Sequence, residues 1–226
     1  MVALITNGHS TDDRGRPFRR RRNRPALILG LVLLLIGAGV WIGVFSHQSS
    51  SAADVACNDP APATPAPGTP PAPPLGDRVG SAALSPVTPA ALSNVRVRVF
   101  NANGQSGQAT HVASELSDFG FLPAPDNAVA NDPIYTKQNL QCQGQIRFGA
   151  AGRAEAAAVW LVAPCAELIQ DGRTDTTVDL SLGTLFNDLS PNPDAQAVLK
   201  ALRVPPGSPA PTPDPALVQG AHSTRC

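Results

Sequence analysis

The chain has 226 residues, with 17 basic and 17 acidic side chains, 24 prolines, 4 cysteines and only 4% aromatic residues, and its formal charge is zero. The zero hides two opposed parts: seven arginines against two aspartates give residues 1–24 a charge of +5, and the 10 basic and 15 acidic residues that remain give −5. The basic part is too short, and too poor in interleaved aromatic residues, for a nucleic-acid-binding surface, so no partner of that class is expected.

Arg19-Arg20-Arg21-Arg22-Asn23-Arg24 runs directly into residues 26–45, which hold no charged residue. Twenty apolar or small residues at about 1.5 Å rise cover about 30 Å, the thickness of a bilayer's hydrocarbon core. Arginines beside a membrane helix stay on the cytoplasmic side. The pattern predicts a cytoplasmic tail over 1–24, a single transmembrane helix over 25–46, and an extracytoplasmic remainder. The tail is expected to touch anionic membrane lipid. Ser51-Ala52-Ala53 offers a signal-peptidase-like cut, but the apolar run exceeds the about 7–15 residues of a secretory signal, so a retained anchor is expected. Lipid modification of Cys57 is disfavoured by Asp54, which stands where such sites want leucine, and by its distance from the apolar run. Gly39 and Gly43 fit the GxxxG helix-pairing pattern, the basis for a homo-oligomer, although glycine is common in membrane helices. Trp41 and Phe45 suit the outer interface.

Residues 47–93 are rich in proline and alanine, as in Asp59-Pro60-Ala61-Pro62-Ala63-Thr64-Pro65. Such a stretch favours an extended spacer over a packed core. The folded domain is placed at 94–204, and a second proline-rich stretch leads to a tail, 205–226, that ends on Cys226. Cys57, Cys142, Cys165 and Cys226 all follow the apolar stretch, and an even number in an oxidising compartment suggests two disulfides. No CxxC is present, which argues against a zinc ribbon or a thioredoxin-like site.

Within 94–204, Val95, Val97 and Val99 alternate with Arg96 and Arg98, the period of a half-buried strand. Asn101-Ala102-Asn103-Gly104 is turn chemistry, and Ser106 is a candidate cap for a helix that buries Ala109, Val112, Ala113, Leu116 and Phe119 and stops at Gly120. A weak strand follows at Phe121–Pro123, and 124–141 looks irregular. Residues 145–148 form a second clear strand, 152–162 an alanine-rich helix, and 178–182 a third strand. Pro193 opens a last helix over Ala195, Val198, Leu199 and Leu202. The expected fold is a small two-layer α/β sandwich, with helices on one face of a sheet of three or four strands. In that layout Cys142 precedes a strand and Cys165 follows the helix that returns along it, so Cys142–Cys165 is the expected bridge and Cys57–Cys226 the other by elimination.

The run Val95-Arg96-Val97-Arg98-Val99-Phe100-Asn101-Ala102-Asn103-Gly104, then Gly107-Gln108-Ala109, Leu116 to Phe121 and Val178-Asp179-Leu180-Ser181-Leu182-Gly183-Thr184, resembles the LytR C-terminal domain over about 94–190. Gly15-Arg16-Pro17-Phe18, Asn131-Asp132-Pro133-Ile134-Tyr135, Cys142-Gln143-Gly144-Gln145-Ile146-Arg147-Phe148-Gly149, Trp160-Leu161-Val162-Ala163-Pro164-Cys165 and the terminal cysteine extend the resemblance to mycobacterial envelope-integrity proteins. Abundant alanine, proline and arginine with only two lysines, Lys137 and Lys200, fits an actinobacterial source. The resemblance implies a single-pass envelope protein that maintains the cell wall, with no enzymatic activity, cofactor or catalytic residue to carry over. Such domains also occur in LytR-CpsA-Psr glycopolymer ligases, whose chemistry resides in a separate, larger domain; the alternative it implies is an enzyme or accessory of that ligation.

Strand alternation turns Arg96, Arg98 and Arg147 away from the helices, onto an open face shared with Asp179 and Ser181. Three guanidinium groups there make a candidate site for phosphates or carboxylates of an envelope polymer, lipid or partner protein. The plainer reading is a solvated face on which Asp179 pairs with one arginine. The loop 103–107 lacks both the Walker ending and the GxGxxG spacing. His111 shares the polar side of its helix with Thr110, Ser114 and Glu115, and no close set of metal ligands is evident, so no metal is expected.

Overall fold

The computed structural model describes residues 28–30, 32–34, 37, 56–62, 72–208, 211–223 and 226. The chain divides into two units, 1–49 and 50–226. In the first, the described residues are helical, with Ile28, Leu29, Val32, Leu33 and Leu34 exposed. Among the described residues no helix is long and apolar enough to cross a membrane. Most of the expected span, including Gly39 and Gly43, lies outside the described residues.

The second unit is mixed α/β. The alternating stretch forms strand β2 (Arg96–Asn101), with Val97 and Val99 buried. Helix α1 (Gln108–Phe119) buries Ala109, Val112 and Leu116. It stops at Gly120, whose φ of 107° lets its N–H reach the Leu116 and Ser117 carbonyls at 3.1 and 3.0 Å. At its start the residue before the helix is Gly107, not Ser106, and no side chain caps it. Five further strands and two helices follow in order: β3 (Leu122–Pro123), β4 (Val129–Asn131), β5 (Gly144–Gly149), α2 (Arg153–Trp160), β6 (Glu167–Asp171), β7 (Val178–Leu182) and α3 (Pro193–Leu202). Among the described residues of this unit, one strand, β1 (Asp77–Val79), precedes 94–204 and one α-helix, α4 (Pro215–Ala221), follows it.

The strands make one seven-stranded sheet in the order β1-β6-β5-β7-β2-β3, with β4 pairing β2 beyond β3. Strand β5 runs parallel to β6 and antiparallel to β7, and β7 runs parallel to β2. The sheet is larger than the three or four strands expected. Strands β1 and β4 have three residues each, too few to show a period. Strand β6 buries the consecutive Leu168 and Ile169, so it shows no alternation. The weak 121–123 segment does join the sheet, parallel to β2.

One core cluster unites Val97, Val99, Ile146, Phe148, Val178 and Leu180 of the strands with α1, α2 and α3. The helices thus cover one face, as the valine alternation predicts. The fold also reaches beyond 94–204. Strand β1 pairs antiparallel with β6, Leu84 and Leu92 are buried, and Ala221 of α4 enters the same cluster. Asn192 joins the ends of two helices: its Oδ1 accepts from the Ala195 N–H at 2.8 Å and its Nδ2 donates to the Gly220 carbonyl at 2.9 Å.

The disulfides pair differently from expectation. They are Cys57–Cys142, with Cα atoms 5.0 Å apart, and Cys165–Cys226, at 5.4 Å. Cys142 and Cys165 do precede adjacent parallel strands, but they belong to opposite faces of the sheet. Cys142 packs with Cys57, Tyr135 and Leu140 away from the helices. Cys165 follows α2 on the helix side, beside Val162, Pro164 and Phe186. One-dimensional spacing locates the end of a strand but not the face to which a side chain turns.

His222, just past α4, stacks on Trp160 with ring centroids 3.7 Å apart. Burial disfavours its charged form and lowers its pKa to about 4. The unfolded chain therefore binds the extra proton first as pH falls from about 6.5 towards 4, and stability falls across that window and is intact above it. At about 1.4 kcal/mol per tenfold change in proton affinity, and discounted for the part of the ring left in water, the loss is about 2 kcal/mol. Urea denaturation at pH 7 and pH 4 should show that component shrink in His222→Gln; an identical pH dependence in the variant would contradict it.

Candidate functional site on the polar face of the sheet

The side of the sheet opposite the helices carries charge. Cross-strand register sets Asp179 of β7 between Arg98 of β2 and Arg147 of β5, and sets Ser181 beside Gln145. The face is not open, as expected, but largely covered. Arg147 is 1% exposed, Gln145 and Ser181 0%, and Asp179 5%. The cover is the 132–142 segment, which supplies Asp132, Ile134, Tyr135 and Leu140, together with the strap around Cys57.

Buried charge demands partners, and each is present. Asp132 Oδ2 lies 2.9 Å from the Arg147 guanidinium and accepts the Ser181 hydroxyl. Asp132 Oδ1 accepts the backbone N–H groups of Ile134 and Tyr135 at 2.7 and 2.8 Å. Arg147 also donates to Gln145 Oε1 at 2.8 and 3.1 Å and sits 5.6 Å from the centroid of the Tyr135 ring. Gln145 passes the chain of bonds to Glu167 at 2.8 Å, Glu167 to Arg78 at 2.9 Å, and Arg78 to Asp59 at 2.8 Å. The strap is held by backbone as well: Tyr135 donates its hydroxyl to the Asn58 carbonyl at 2.6 Å, and Asn58 Oδ1 accepts the Gln141 N–H at 2.6 Å. Burial of the Tyr135 phenol raises its pKa.

A second group of charges borders solvent. Arg98 Nε lies 2.7 Å from Asp179, and Arg173 lies 2.5 Å from Asp179 and 2.6 Å from Asp171. Burial works against the Arg173 charge, but its hydrogen bonds to Asp179 and Asp171 outweigh that and raise its pKa above the usual arginine range. Gly149 makes room for this arginine, because a Cβ there would collide with the Arg173 carbonyl and side chain. Together Arg98, Arg147 and Arg173 line a recess of about 410 Å³, whose apolar rim includes Pro73, Pro74, Phe100 and Pro133.

Of the three arginines singled out from sequence, the structure brings Arg98 and Arg147 to this recess and leaves Arg96 exposed outside it. Arg173 and Asp171 complete the recess, and the buried Asp132 pairs with its Arg147; spacing along the sequence points to none of the three. Arg173 sits in a loop after an unrecognised strand, and Asp132 in a stretch read as irregular. Asp171 and Asp179 line the recess with the three arginines, and Asp132 pairs with Arg147, so the recess is an array of donors and acceptors rather than a bare cationic cradle.

A separate cluster among the described residues brings together three groups of metal-ligating type that spacing in the sequence leaves apart. His111, Glu115 and Asp188 place their ligand atoms within 4.8 Å of one another. The helix period brings His111 and Glu115 together, but Asp188 arrives from the loop after β7, which spacing along α1 does not reveal.

Comparison with known proteins places this architecture. Residues 94–186 match the LytR_C family, described as LytR cell envelope-related transcriptional attenuator, so the β2–β7 region is a LytR_C domain. Over 227 aligned residues, covering all of both chains, the sequence is 45% identical to the cell envelope integrity protein Cei of Mycobacterium tuberculosis. The chain belongs to the Cei family. It is also similar to the crystal structure of the soluble domain of a conserved hypothetical secreted protein from Mycobacterium marinum, with 53% identity and a TM-score of 0.61 over 67% of this chain and 99% of that one.

Proposed function

We propose that the chain is a membrane-anchored, extracytoplasmic, non-enzymatic factor that maintains cell envelope integrity, and that its globular unit binds an envelope polymer, lipid or partner protein at the polar recess. The observation that carries this reading is full-length identity of 45% with Cei, joined to two disulfides downstream of the arginine-flanked apolar stretch. Disulfides persist in oxidising compartments, which supports an outside location for the globular unit. The recess offers paired guanidinium and carboxylate groups beside apolar walls, suited to a polar ligand that needs both donors and acceptors. The LytR_C match favours one second reading, an accessory or enzyme of LytR-CpsA-Psr-type glycopolymer ligation.

The test is retention of purified wall polymer, detergent-dispersed lipid or solubilised envelope proteins by the immobilised full-length chain in detergent. Arg98→Ala/Arg173→Ala should lower retention of the true ligand at least about tenfold, the loss of charge-assisted bonds worth about 1.5–3 kcal/mol. Undiminished retention by this variant, or cleavage of a pyrophosphate bond in lipid-linked polymer by the wild type, would overturn the proposal.

A further inference from the structure

We propose that His111, Glu115 and Asp188 form a surface site for a divalent cation of the zinc class, distinct from the recess. His111 Nε2 lies 3.7 Å from Glu115 Oε1 and 3.8 Å from Asp188 Oδ1. Tetrahedral zinc binds imidazole at about 2.0–2.1 Å and carboxylate oxygen at about 2.0–2.2 Å, so its ligand atoms stand about 3.3–3.5 Å apart. Closing these two spacings needs shifts of a few tenths of an ångström, all three ligand atoms lie within 4.8 Å of one another, and the side chains are 63%, 27% and 55% exposed and free to adjust.

A second observation points to the same ligand. Glu115 Oε2 is buried and has no hydrogen-bond partner among the described residues. Two carboxyl groups held together beside an imidazole repel unless a proton or a cation lies between them. A divalent ion satisfies all three groups at once, and an unsatisfied buried oxygen is the feature such an ion explains.

The chemistry of the donors selects the ion. Ca²⁺ and Mg²⁺ prefer all-oxygen shells, whereas imidazole favours zinc and its transition-metal neighbours. Three protein ligands leave a position for water or for an incoming group. The site bridges α1 and the loop between β7 and α3, where Gln108 already donates to the Phe186 carbonyl at 3.1 Å. Metal would therefore fasten that loop to α1.

The test is titration of the metal-free, tag-free full-length chain in detergent with Zn²⁺, read by calorimetry, and with Co²⁺, read by its visible spectrum. One equivalent of Zn²⁺ should bind and raise the melting temperature, and millimolar Ca²⁺ or Mg²⁺ should not displace it. His111→Ala should abolish the equivalent, and Glu115→Gln and Asp188→Asn should each weaken it at least about tenfold, since losing a group that merely supports a ligand already costs about 10–100-fold. His47→Ala should bind as wild type does. These side chains are largely outside the core, so each metal-free variant should melt as wild type does, which separates a lost ligand from a lost fold. Absence of saturable binding, binding unaffected by His111→Ala, or equal competition by Ca²⁺ would overturn the proposal.

Discussion

Asp132→Ala should destabilise the globular unit by about 3–5 kcal/mol, the cost of leaving one member of a buried ion pair uncompensated. Arg147 would keep its charge at 1% side-chain exposure, held among the described residues by hydrogen bonds to Gln145 and by the Tyr135 ring. The converse change should cost less. In Arg147→Met, Asp132 retains two backbone N–H groups and the Ser181 hydroxyl, three donors that stabilise a carboxylate on their own. The double variant should fall well short of the sum, because its second substitution removes the charge that the first had stranded. Urea midpoints of the four proteins measure this asymmetry. Equal costs for the two single variants, or an Asp132→Ala cost below about 1 kcal/mol, would show that the pair is not buried as the structure has it.

The second large effect concerns the strap. Cys57→Ser/Cys142→Ser opens a covalent loop between residues 85 positions apart. Removal of a native disulfide costs about 2–5 kcal/mol, mostly through the freedom returned to the unfolded chain. The loss should fall on the polar face, where Cys57, Tyr135 and Leu140 cluster, while the helix-side core keeps Cys165–Cys226. The same variant reports the pairing. Under denaturing, non-reducing conditions it should show no free thiol, because its two remaining cysteines are bonded to each other. Two free thiols would reveal that Cys57 and Cys142 had different partners.

These two effects also mark what sequence alone conveys. The alternation of Val97, Arg98 and Val99 assigned faces correctly, and Arg98, Arg147, Asp179 and Ser181 do share one side of the sheet. Alternation is local, with a period of two, and it survives in any environment. What lies over a face is non-local. Asp132 meets Ser181 across 49 residues and Asn58 meets Gln141 across 83, in segments that carry no period of their own. A charged face therefore looked open when it was covered, and Arg147 looked solvated when it was buried. The same limit applied to the proline-rich flanks. Composition argued for spacers, yet Leu84, Leu92 and Ala221 enter the core one residue at a time, too sparsely for a pattern. His111 and Glu115 were legible as helix neighbours, whereas Asp188 required the topology.

The Cys57–Cys142 link has a mechanical consequence. Tension applied to the chain ahead of Cys57 passes through that covalent bond to Cys142, two residues before β5. Strand β5 lies inside the sheet, flanked by β6 and β7. The pull thus bypasses residues 58–141 and loads an interior strand whose two ladders must shear together, instead of peeling the short edge strand β1 away one hydrogen bond at a time.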